Sequence, residues 1–297
     1  MGEYNIIQWM TFFYFYCVVG WIWESSYCSV KGHKLINRGF MRGPMIPIYG
    51  SGAVVMLIAA MPFKGNLLLI FLSGMVLASL LEYCTGAAME MIFKVRYWDY
   101  SNVPLNLNGH ICLPCSIGWG FATILMTSFI HAPVERIVMN IPMKYLELIV
   151  MLITLIFGAD FSVSFKAAID LRDILIKMDE MKAEVDKMHK RVDVVLAFAD
   201  DEKNQWAERQ HERIEDMVTA LEGRLQAAKD KIDLSEETRE ELAELKARAM
   251  VMKERAKQLI PFKDYMSRAI IKGNPDIISR KFKGSLEELK AYVNSKR

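Results

Sequence analysis

The partition of charge along this chain constrains its fold more than any motif does. Before Phe165, apolar runs approach the ~20 residues that a helix needs to cross a bilayer, and charged side chains are scarce within them. After Phe165, Lys, Arg, Asp and Glu recur every few positions and no long apolar run appears. The sequence therefore predicts an all-α protein: a polytopic transmembrane helical bundle over residues 1–165, followed by a long cytoplasmic helical, coiled-coil-like extension over 166–297. The expected spans are 6–28, 44–61, 66–93, 113–132 and 143–165, about five in all. Pro44, Pro47, Gly50 and Gly52 interrupt the second, and Pro114, Gly118 and Gly120 open the fourth. Such breaks persist at membrane depth only where protein or water satisfies the freed backbone groups.

Basic residues in short connections set the orientation. Lys31, Lys34, Arg38 and Arg42 follow the first span, Lys94 and Arg96 the third, and Lys166 and Arg172 the fifth, against Lys64, Arg136 and Lys144 on the other side. This bias predicts an N-terminus outside and a cytoplasmic C-terminal region. Within that region Ile174, Met178, Met181, Val185, Met188, Val192 and Val195 step by four and three, the seam of a helix packed against another. A break is expected at Asp200–Asn204. A second stripe follows through Ile214, Met217, Leu221 and Leu225. An N-cap at Ser235 then opens a third helix, with Leu242, Leu245, Ala249, Met252, Ala256 and Leu259, that stops at Pro261. Such helices can fold on one another, pair with a second copy of the chain, or dock an ATPase or another cytoplasmic protein.

A formal charge of +2 makes no electrostatic case for nucleic acid, and no zinc-finger or basic-zipper pattern supplies one. The chain has no Gly-x-x-x-x-Gly-Lys-Ser/Thr loop, no Gly-x-Ser-x-Gly elbow and no His-Glu-x-x-His pair, so it is not expected to hydrolyse ATP by the P-loop route on its own; no cofactor is expected and catalytic residues stay unassigned. The five cysteines all lie in the apolar half and are read as reduced thiols. His110, Cys112 and Cys115 have a spacing open to metal or thiol chemistry, but no second cysteine pair completes a zinc site and none is assigned.

Ionisable groups inside spans each cost a few kcal/mol to insert, so Glu24, Glu82, Glu90 and Asp160 need partners or water. The topology puts all four in the cytoplasmic half. Arg38 and Arg42 lie in the Gly- and Pro-rich stretch from Asn37 to Gly50, which also carries Tyr49. Two readings stay open: the arginines neutralise Glu24, Glu82 or Glu90 and lock the spans together, or the cluster holds an anionic substrate or lipid head group. The third connection adds Trp98, Asp99, Tyr100, Asn106, Asn108 and His110 on the same expected side. Trp98 and Tyr100 suit an interfacial aromatic belt. The candidate substrate-binding residues are Glu24, Arg38, Arg42, Tyr49, Glu82, Glu90, Asp99 and Asn108.

Gly20-Trp21 with Glu24, Asn37-Arg38-Gly39-Phe40, Arg42-Gly43-Pro44 with Pro47-Ile48-Tyr49-Gly50, Glu82-Tyr83, Glu90, Trp98-Asp99-Tyr100-Ser101, Asn108-Gly109 and Trp119-Gly120 occur in that order. Together they resemble the ABC-transporter type IV (CmpB-like) permease family of bacterial membrane proteins, over about residues 10–165. The segment from Lys272 to Lys281 is similar to the tails of some members. The resemblance implies a multi-pass protein of the bacterial cell membrane with a transport role, which for so small a unit requires a second copy or partner subunits. The leading expectation is a permease-like component that binds a polar or anionic substrate near the cytoplasmic face. A membrane-embedded enzyme acting on lipid head groups and a membrane-anchored scaffold with a helical docking arm are the alternatives.

Overall fold

The computed structural model describes residues 4–199, 217, 219–223, 225, 236–259 and 265–295. The chain is helical almost throughout. Helix α1 (Ile6–Gly32) opens at Asn5, whose side chain accepts from the Gln8 amide while Gln8 accepts from the Asn5 amide, 2.9 Å each, so two otherwise unbonded N–H groups are satisfied. Helix α2 (Pro47–Ala60) begins on Pro47, where a missing N–H costs nothing, and runs into a 3₁₀ turn at Met61–Phe63. Helix α3 (Leu67–Phe93) is capped by Asn66 and ends at Lys94 in the left-handed conformation. A two-stranded antiparallel ribbon, β1 (Asn106–Leu107) and β2 (Ile111–Cys112), precedes α4 (Leu113–Leu125).

Helix α4 continues through a π segment, Met126–Ile130, into α5 (His131–Asn140). Pro133 accounts for the irregularity: in an unbroken α-helix its ring would crowd the Phe129 carbonyl and leave it unbonded, and one wider turn relieves this. Helix α6 then runs unbroken from Met143 to Ala199, and α7 (Glu236–Leu259), α8 (Tyr265–Gly273) and α9 (Lys283–Ser295) complete the described elements.

Four described helical stretches are long and apolar enough to cross a membrane: Ile6–Gly32, Leu67–Phe93, Leu113–Asn140 and Met143–Val192. The stretch expected as the second span is the shorter apolar helix Pro47–Phe63, which at ~1.5 Å per residue is about 25 Å long. On α6, Leu155 and Ile156 are about two-thirds exposed. Water would penalise so continuous an apolar surface, whereas lipid matches it.

The chain divides into two compact units. One comprises Met1–Ile169 with Met266–Ser279, the other Asp170–Tyr265 with Arg280–Arg297. In the first, α1 packs on α2, α2 on α3 and α3 on α4 around Phe12, Tyr16, Leu57 and Met126. Small residues permit the close crossings. A side chain at Gly50 would meet the Phe13 carbonyl oxygen, and one at Gly20 would overlap Tyr49. The tail segment returns to this unit: the backbones of Arg96 and Ile278 exchange hydrogen bonds of 2.7 and 3.0 Å, and Ser279 Oγ donates to the Lys94 carbonyl at 2.7 Å.

In the second unit the seam of α6 is buried through Met178, Met181, Val185, Met188 and Val192. It starts at Leu171 and Leu175, both fully buried, with Ile174 half-buried beside them. Met217, Leu221, Leu225, Leu242, Leu245, Ala249 and Met252 are buried too, as are Leu286, Leu289 and Val293 of α9. Lys182 of α6 pairs with Glu288 at 3.0 Å. The expected break at Asp200–Asn204, Ile214, the Ser235 cap, Pro261 and the side chains of Val195, Ala256 and Leu259 lie outside the described residues.

Candidate binding site

The end of the first unit where α1 and α3 finish and α2 and α4 begin gathers Glu24, Arg38, Glu82, Glu90, Arg96 and Asp99. The stretch after α1 is pinned before it reaches α2: Trp21 Nε1 donates to Asn37 Oδ1 at 2.6 Å, Asn37 Nδ2 to the Arg42 carbonyl at 2.6 Å, and the Arg38 amide to Ser25 Oγ at 3.1 Å. These bonds turn Arg38 inward. Its Nε donates to Glu24 Oε2 at 3.4 Å and its Nη2 to the Tyr97 carbonyl at 3.4 Å, while Nη1, though buried, has no acceptor among the described residues. Tyr49, at the start of α2, donates to the other Glu24 oxygen at 2.8 Å.

Glu82 lies two turns deeper on α3 and is 6% exposed. Tyr100 Oη donates to its Oε1 at 3.1 Å and Trp119 Nε1 to its Oε2 at 2.8 Å. Among the described residues no Lys, Arg or His pairs with it. The aromatic residues expected at an interfacial belt thus turn inward, because their polar atoms find partners there: Tyr100 on Glu82, and Trp98 Nε1 on the His110 carbonyl at 2.9 Å.

A second charged knot is built around Arg96, whose side chain is 3% exposed. Its Nη2 contacts Glu90 Oε2 at 2.7 Å and its Nη1 contacts Asp99 Oδ1 at 2.8 Å, and His110 Nε2 reaches the same Glu90 oxygen at 3.1 Å. Burial is the largest influence on Asp99 and would raise its carboxyl, but hydrogen bonds from Ser101 and Arg96 together outweigh it and hold the group below the usual carboxylate range. Burial pushes the Tyr97 phenol upward, and burial followed by the neighbouring Glu82 carboxylate does the same to Tyr100. The three-residue connection between β1 and β2 places Asn108 (φ 53°) and Gly109 (φ 75°) in the left-handed region, and the His110 amide donates back to the Leu107 carbonyl at 3.1 Å. A side chain at Gly109 would also lie 2.6 Å from Arg96 Nη1, so glycine is what lets the ribbon close over this knot.

A cavity of about 1000 Å³ occupies this region, walled by α1, α2, α3, α4 and α6. Its wall is apolar apart from a few side chains, and its charged residues are Glu24, Arg38 and Glu82. Of the eight residues expected to bind substrate, Glu24, Arg38, Tyr49 and Glu82 border it. Glu90 and Asp99 belong to the adjoining Arg96 knot. Arg42 is exposed and receives Asn37 through its carbonyl, and Asn108 Nδ2 donates to Tyr83 Oη at 3.0 Å, so neither borders the cavity. Asp160 accepts from the Gly43 amide at 2.8 Å. Neutralisation thus follows the expectation at Glu24, which Arg38 answers, and departs from it at Glu90, which shares Arg96 with Asp99.

Arg96, Tyr97, Trp119 and Asn274 are the site residues that sequence reasoning missed. Arg96 had a readable signal, three residues before Asp99 and six after Glu90. Asn274 had only the tail resemblance over 272–281, which gave it no place at the site: it borders the cavity and donates to the Gly39 carbonyl at 3.0 Å from 235 residues away. His110 is engaged by Glu90, and Cys112 and Cys115 bring their sulfurs to 2.7 Å without it. Among the described residues no group of three His, Cys, Asp or Glu side chains is placed to hold a metal ion.

A family model described as “Putative ABC-transporter type IV” matches residues 11–165, the part of the chain that carries this cavity. No curated protein and no solved structure matches the chain.

Proposed function

This chain belongs to the ABC-transporter type IV family, and on that premise we propose that it is a transport component whose cavity binds an amphipathic substrate by a polar or anionic head group. The observation that carries the reading is the cavity itself: about 1000 Å³, with a wall mostly of aliphatic and aromatic side chains and charged groups only at Glu24, Arg38 and Glu82, which Tyr49, Tyr100 and Trp119 hold by hydrogen bonds. Pockets of this size and lining take ligands that bury a large apolar body and fix it by a few polar contacts. Arg38 Nη1 and Tyr97 Oη, both buried and both lacking a partner among the described residues, are the donors a head group would complete once the wall shifts to admit it. The wall includes side chains as exposed as Trp23 and Leu125, which gives a substrate a path from the apolar exterior of the helices.

The substrate end of the protein faces the cytoplasm in this reading. The basic residues Lys31, Lys34, Lys94 and Arg96 accompany it, and the N-terminus lies outside the bacterial cell membrane. Residues 166–297 extend into the cytoplasm as a docking arm for a second copy or for an ATPase that powers transport.

Photolabelling tests the binding reading. An alkyl diazirine amphiphile added to membranes containing the full chain is expected to label wall residues such as Met56 and Met89, and excess unlabelled lipid extract is expected to compete with it. Labelling confined to lipid-facing positions such as Leu155 and Ile156 would overturn it.

A further inference from the structure

Glu82 is an ionisable group that none of its neighbours requires. Trp119 and Tyr100 are neutral donors, and a glutamine oxygen would accept from Trp119 as well without burying a formal charge. A carboxylate at that place calls for a positive partner, and among the described residues the chain offers none. Trp98, Tyr100 and Trp119 are among the aromatic residues that border the cavity, and the last two bond Glu82 directly. Aromatic faces beside a carboxylate favour an ammonium group, which is attracted both by the ring quadrupoles and by the full charge.

The charges of the wall lead to the same place. Arg38 is matched by Glu24, so with all three groups ionised Glu82 leaves the cavity one negative charge in excess. A purely anionic head group would meet one guanidinium already in use and two carboxylates. A head group with an anion at one end and an ammonium at the other meets complementary partners at both. We propose that the cavity takes a zwitterionic amphiphile whose ammonium sits against Glu82 between Tyr100 and Trp119, whose phosphate or carboxylate engages Arg38 and Tyr97, and whose acyl chain lies along the apolar wall. This rests on the binding reading above and narrows it to one class of head group.

The test uses the full chain, purified in detergent and stripped of lipid, with ligand binding followed by native mass spectrometry. Four probes separate the contributions: phosphatidylethanolamine, its N-acylated form, which lacks the ammonium charge, phosphatidylglycerol, and water-soluble phosphoethanolamine. Phosphatidylethanolamine is expected to bind at least about tenfold more tightly than the N-acylated form or phosphatidylglycerol. In Glu82→Gln that ratio is expected to fall to about one. Equal binding of the three lipids by the wild-type chain, weakened alike by Arg38→Gln, would overturn the ammonium assignment while leaving the binding compartment standing. No saturable binding of any lipid would overturn both. Phosphoethanolamine binding as tightly as the lipid would overturn the amphiphile and assign the site to a soluble zwitterion. Should Glu82→Gln fail to fold, the wild-type comparison of the free and N-acylated lipids decides the matter alone.

Discussion

Replacing Arg96 by methionine tests how the charged knot holds the site together. Its guanidinium is 3% exposed and lies between Glu90 and Asp99 at 2.7 and 2.8 Å, so methionine keeps most of the side-chain volume and removes the guanidinium that the two carboxylates share, with His110 Nε2 still 3.1 Å from Glu90. Breaking a buried ion pair from one side costs roughly 3–5 kcal/mol, and because Glu90 and Asp99 retain 27% and 19% exposure the expected loss lies at the lower end, about 3 kcal/mol. Removing a single carboxylate leaves Arg96 with the other, so Glu90→Gln alone is expected to cost only about 1 kcal/mol. The triple variant Arg96→Met, Glu90→Gln, Asp99→Asn carries no unpaired charge and is expected to recover most of the loss. Unfolding of the purified chain by sodium dodecyl sulfate in mixed micelles, followed by tryptophan fluorescence, measures all three. A stability for Arg96→Met within about 0.5 kcal/mol of the wild type, the range of an ordinary surface change, would refute the reasoning, as would a triple variant no better than the single one.

Two further outcomes follow from the same geometry. Gly50→Ala places a methyl group 2.5 Å from the Phe13 carbonyl oxygen, a backbone atom that cannot swing aside, so α1 and α2 must separate at an expected cost of about 1–3 kcal/mol; unchanged stability in the same micelle assay would show that the crossing is looser than described. Asp99, held below its ordinary range, contributes stability that is fully present above its unfolded value of about 4 and is lost as pH falls through the lower folded value. The stability gap between wild type and Asp99→Asn is therefore expected to stay constant from neutral pH down to about 4 and to narrow only below it. A gap that is unchanged at pH 3 would contradict this.

The seam of the extension illustrates how far periodicity reaches. Spacing by four and three located Met178, Met181, Val185, Met188 and Val192, all buried, because one face of that helix is apolar and the other charged. At the membrane end of α6 the same method loses its grip. There apolar residues cover the whole circumference, since both lipid and protein accept them, and pattern alone does not separate Leu146, 1% exposed, from Leu155, 66% exposed. The seam's true start, Leu171 and Leu175 in place of Ile174, falls at this change of surroundings.

By itself the sequence determined that this is a helical membrane protein with a charged extension, and that its embedded carboxylates need company, because apolar run length and the cost of burying charge are properties of the chain read locally. Only the tertiary structure decided which company each one keeps. Glu24 takes Arg38, Glu90 and Asp99 share Arg96, Glu82 has two neutral donors, and Asn274 arrives at the cavity from the far end of the chain. Those choices depend on the rotation of each helix and on where its ends meet, and several arginines were near enough in sequence for each acid. Packing between helices selects one of them, and that selection is what leaves Glu82 facing the cavity.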